Sequence, residues 1–78
     1  MNRAKPRYQQ LKDLIIGRIA AGELRPTDRV PSEHELVATM NVSRMTANRA
    51  LRELHDEGYV ERIAGRGTFV SDRRAQSQ

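Results

Sequence analysis

Apolar residues recur at spacings of three and four from Tyr8 onward. Tyr8, Leu11, Ile15 and Ile19 mark one stripe, widened by Leu14 and Ile16. That period predicts an amphipathic helix from Tyr8 to about Ala21, with Gly22 as its stop. The stretch 23–31 loses the period and carries Pro26 and Pro31. It reads as a connection, pinned to the core by Leu24 and Val30. The pattern resumes at Ser32. Ser32 and Glu35 have capping-box spacing, and Leu36, Val37 and Met40 give a short second helix, about Glu33 to Met40. Asn41-Val42 breaks it, because Asn tolerates the left-handed conformation of a tight turn. Ser43 can cap a third helix, whose apolar stripe is Ala47, Ala50, Leu51 and Leu54 and whose end is Gly58. Asp56 and Glu57 oppose the dipole at that end and have no role in the pattern beyond exposure.

After Gly58 the period shortens. Tyr59–Ile63 reads as a strand and Thr68–Val70 as its return, joined by the glycine-bearing tip 64–67. The expected architecture is therefore mainly α with a small β-hairpin: a winged helix-turn-helix of three helices and a two-stranded wing over 8–71. Residues 1–7 read as a loose basic arm. Residues 72–78 read as the start of a linker.

Composition narrows the chemistry. The chain has 78 residues, enough for one domain, and no cysteine, which excludes disulfides and thiolate metal sites and suits a reducing cytosol. No apolar run is long enough for a membrane span or signal peptide. His34 and His55 are the two histidines, too few for a metal cluster. No nucleophile–base pair stands out, so catalysis is not expected. The net charge is +4, and twelve of the fourteen basic residues are Arg. Both halves carry seven basic and five acidic residues, so the position of the arginines matters more than their number.

That position is informative. In a helix-turn-helix the second helix of the pair enters the major groove and its first turn meets base edges. Here that turn is Ser43-Arg44-Met45-Thr46, followed by Asn48 and Arg49. Ser43, Arg44, Thr46 and Asn48 can bond phosphates or bases, and the free amides of a helix N-terminus suit a phosphate. Arg49 is a further candidate for DNA contact, and with Arg52 it forms a neighbouring basic row. A solvated face with pairs such as Arg49–Glu53 is the plain alternative for that row. On the hairpin, Gly65 and Gly67 flank Arg66, a cationic tip suited to a minor groove. Arg3 and Arg7 are further phosphate candidates. Tyr8 and Tyr59 read as edges of the core, not stacking platforms. Two rival readings are a winged helix used for protein contacts, for which Met45 is the one apolar hint, and double-stranded RNA binding, disfavoured by the narrow RNA major groove.

Taken together, Pro31-Ser32-Glu33-x-Glu35-Leu36, Val42-Ser43-Arg44-x-Thr46, Ala50-Leu51-x-x-Leu54-x-x-Glu57-Gly58 and Gly65-Arg66-Gly67-Thr68-Phe69-Val70 resemble the GntR family of winged-helix regulators. Within it, Ser43 to Leu51 and the wing are similar to the HutC branch, the histidine-utilisation repressors. The resemblance implies a cytoplasmic transcription repressor that binds near-palindromic operators as a homodimer. It implies a separate C-terminal domain, not contained in this chain, that takes a small effector, urocanate for this branch. It places DNA contacts at His34, Ser43, Arg44, Thr46, Asn48 and Gly65 to Gly67. Three positions depart from the usual pattern: His34, where many relatives carry Arg or another polar residue; Asn41, where Gly is usual; and Thr27, where Gly often follows Pro.

Overall fold

In a computed structural model, residues 5–72 are described. Helix α1 spans Arg7–Ala20, strand β1 Arg29–Val30, α2 Glu33–Met40, α3 Arg44–Asp56, β2 Val60–Ile63 and β3 Gly67–Val70. The boundaries follow local chemistry. α1 ends in a Schellman arrangement: Gly22 takes φ 84, its amide donates to Ile19 O at 3.1 Å, and Glu23 N donates to Arg18 O at 2.9 Å. α3 ends the same way at Gly58. The capping box of α2 is complete: Ser32 Oγ accepts from Glu35 N, and Glu35 Oε1 accepts from Ser32 N. Asn41 closes α2 in the left-handed region, φ 54 and ψ 47.

One end differs from the expectation of a loose arm. Arg7 is the first residue of α1, and Lys5 Nζ lies 2.6 Å from Asp13 Oδ2. The chain from Lys5 onward is therefore fixed to the helix. Arg3 lies outside the described residues, as does 73–78 of the expected linker.

The sheet also differs: it has three strands, in the order β1-β3-β2, all antiparallel. The connection 23–31 supplies the third strand by pairing Arg29 with Phe69 and Val30 with Thr68. A two-residue strand leaves no readable alternation, so the pattern could not reveal it. What places it is a turn. Asp28 N donates to Arg25 O at 2.9 Å across Pro26-Thr27, and Thr27 N donates to Val70 O at 3.0 Å. Thr27 takes φ 72, a costly conformation for a β-branched residue.

The core is one cluster. Leu11 and Ile15 from α1, Val30, Leu36 from α2, Ala47, Ala50, Leu51 and Leu54 from α3, and Val60 and Val70 from the sheet are buried together. Ala47 and Ala50 let α3 approach its neighbours closely, and Leu51 and Leu54 fill the centre. This fixes the rotation of α3, and hence which of its side chains reach solvent.

Candidate nucleic-acid interface

The first turn of α3 is capped and open. Ser43 Oγ accepts from Thr46 N at 3.0 Å and donates to Thr46 Oγ1 at 2.9 Å. The cap therefore takes the third-position amide and leaves those of Arg44 and Met45 as the unpaired donors of the turn. Ser43, Arg44 and Met45 are exposed, and Thr46 is half-buried. The arrangement presents hydroxyls, amides and a cation at the positive end of the helix dipole, which suits an anion.

Glu33 organises this end, a role the sequence did not disclose. Its carboxylate accepts from Asn48 Nδ2 at 2.8 Å and lies 3.5 Å from Arg44 Nε. It stands at the first position of α2, between the two capping-box residues, and so is free to reach across to α3. The Asn48 contact is firm. The Arg44 contact is long, and the Arg44 side chain remains 72% exposed, so its guanidinium keeps most of its donors for an outside partner. His34 is exposed and lines an open cleft with Val37, Ala38 and Arg44. The tertiary structure thus brings His34, Ser43, Arg44, Thr46 and Asn48 to the junction of α2 and α3.

Arg49 is placed differently. Its Nε donates to Glu53 Oε2 at 2.9 Å, its NH2 group donates to the Tyr8 hydroxyl at 3.2 Å, and its guanidinium carbon sits 3.8 Å from the Tyr8 ring centroid. It bridges α3 to α1. Beneath it, buried Lys12 donates to Glu53 at 2.9 Å and to Glu57 at 2.7 Å. Hydrogen bonds donated to Glu57 and then to Glu53 hold the Lys12 ammonium above its usual pKa. Glu57, which opposes the helix dipole, is thereby explained: it neutralises a lysine 45 residues away in sequence.

The wing is the second element. Arg66 N donates to Ile63 O at 2.9 Å, closing a turn with Gly65 at φ 79. Gly67 begins β3 at φ 123, a conformation that excludes ordinary side chains. Arg66 is exposed at the tip and has no side-chain hydrogen bond or ion pair among the described residues. Other signals are absent in the same sense: the described residues contain no metal-binding cluster of His, Asp or Glu, and no helix long and apolar enough to cross a membrane.

A family model described as "Bacterial regulatory proteins, gntR family" matches residues 7–70, spanning all six elements. The chain belongs to the GntR family. Its relatives include the histidine utilization repressor of Klebsiella aerogenes, 54% identical over 72 residues, covering 92% of this chain and 30% of that protein. The arabinose metabolism transcriptional repressor of Geobacillus stearothermophilus is 41% identical over 73 residues, covering 94% of this chain and 20% of that protein. Among solved structures, the AraR DNA-binding domain in complex with operator ORR3 superposes with a TM-score of 0.81 at 36% identity, covering 85% of this chain and 80% of that chain. The chain therefore spans less than a third of these curated relatives. Its fold is a winged helix-turn-helix, shared with the AraR DNA-binding domain that was solved on its operator.

Proposed function

We propose that this chain is the operator-reading head of a repressor of histidine-utilisation genes, acting on cytoplasmic DNA. Helix α3 enters the major groove with Arg44 at a base edge, and Ser43 and Thr46 meet the backbone. Asn48, held by Glu33, lies beside Arg44, and the Gly65–Gly67 tip carries Arg66 toward the adjoining minor groove. His34 is a flanking contact. The observation that carries the reading is the exposed Arg44 guanidinium at a capped, amide-presenting helix start. The higher identity to the histidine-utilisation relative than to the arabinose one supports the pathway. A homodimer on a near-palindromic site, and a separate effector domain taking urocanate, complete the proposal for the whole protein. Arg49, a contact candidate in sequence, is read as a residue of the α1–α3 seam, where two of its five N–H donors are engaged, to Glu53 and Tyr8.

The test is affinity for a palindromic duplex, enriched by the chain from a random pool, across a salt series. Each neutralised phosphate contributes a slope of about −0.9 in log K against log salt. A response of several such units is expected, and a flat response overturns the reading. Arg44→Ala should cost roughly 1–3 kcal/mol on the enriched site. It should cost much less on random duplex.

A further inference from the structure

Met45 stands apart from the other apolar residues. It is 81% exposed, against 37% for Leu14 and Met40 and 42% for Ile63. The core stripe of Ala47, Ala50, Leu51 and Leu54 fixes where α3 faces inward. At 3.6 residues per turn, Met45 lies roughly 170° around the axis from the centre of that stripe. It therefore occupies the outermost line of the helix, in its first turn. Arg52, two turns further on, shares that line, and Arg44, Asn48 and Arg49 flank it.

An apolar protein partner fits this surface poorly, because it would bury the guanidinium of Arg44 and the nearby Arg52 against apolar atoms at high cost. A polyanion fits the collar, and within it the apolar centre needs an apolar spot. The major groove offers one: the C5-methyl of thymine. Methionine suits such a contact because its unbranched thioether adapts to the position of a single methyl. We propose that Met45 packs on the C5-methyl of a thymine in the major groove and so determines specificity at that base pair.

The inference rests on α3 being the groove-reading helix, and the experiment separates the two. Duplexes bound by the 78-residue chain are enriched from a random pool. Each thymine of the enriched site is then replaced singly by deoxyuracil, which removes only the methyl. At least one replacement should weaken binding about fourfold, the worth of one buried methyl. Met45→Ala, an exposed change that leaves the core intact, should show the same loss on the parent site and no further loss on the demethylated one. Equal methyl sensitivity in Met45→Ala and the parent overturns the proposal, as does an enriched site with no methyl-sensitive thymine. Both results leave the DNA-reading assignment standing. A pool in which no sequence is enriched defeats that assignment and the inference with it.

Discussion

Arg44 and Arg49 lie five residues apart on one helix and have opposite fates. Arg49 is turned back onto the protein, over the Tyr8 ring and against Glu53, in a seam that also holds Lys12 and Glu57. Arg44 has one long contact, to Glu33, and is otherwise open. The seam fixes α3 to α1 by charge pairing and burial. The other end of α3 leaves most of the Arg44 guanidinium donors and the amides of Arg44 and Met45 open. On the proposed reading, in which α3 both stays in place and binds a polyanion, the two tasks are separated along its length. Basic residues therefore mark a binding face only where carboxylates and aromatic rings have not already engaged them.

The largest expected effect tests the seam. Lys12→Met keeps the apolar stem but leaves Glu53 and Glu57 without their buried partner. It should cost about 2 kcal/mol of stability. For a domain of this size that lowers the melting temperature by roughly 10 °C. Arg44→Ala should melt within about 0.5 kcal/mol of the parent. If Arg44→Ala melts as low as Lys12→Met, the division between the two ends is wrong.

Arg49→Ala sharpens the contrast. Losing the ring contact and the Glu53 pair should lower the melting temperature, by less than Lys12→Met does. Its affinity for the enriched duplex should fall far less than that of Arg44→Ala, as read by fluorescence anisotropy. Equal losses of affinity would make Arg49 a DNA contact and break the comparison.

Thr27→Gly separates stability from binding altogether. The left-handed threonine stores strain of order 1–3 kcal/mol, offset in part by the freer unfolded glycine chain. A net gain of about 1 kcal/mol is expected in denaturant titration, with duplex affinity unchanged. A destabilised variant would show that Thr27 is held there by contacts worth more than its strain.

The smallest effect is in pH. The Glu53 carboxyl is held below its ordinary 4.5, first by the Lys12 hydrogen bond and then by that of Arg49. The unfolded chain binds its proton more tightly, so this stabilisation is present above pH 4.5 and fades as pH falls through the lowered folded value. Asp13, lowered chiefly by Lys5, and Glu35, lowered chiefly by the Ser32 amide, add to the same acid slope. Lys12 works in the other direction: its share is present below pH 10.5 and is lost as pH rises past the raised folded value. Melting curves of Glu53→Gln should show a shallower acid decline than the parent. An identical decline would remove Glu53 from the account.

The sequence by itself determined the three helices, their caps at Ser32 and Ser43, their glycine stops at Gly22 and Gly58, and the hairpin with Arg66 at its tip. These are short-range matters: a period of three to four residues, a hydroxyl three residues from an amide, a glycine where φ must be positive. It also located the polar first turn of α3, because that turn is contiguous. Tertiary structure decided the rest. Strand β1 exists because Arg29 and Val30 meet Phe69 and Thr68, some forty residues on. Lys12 finds Glu57, Arg49 finds Tyr8, and Glu33 reaches Asn48 only once the helices pack. Periodicity shows that a residue faces outward from its own helix. Whether another element stands there to neutralise it depends on how the helices cross, and no local pattern carries that information.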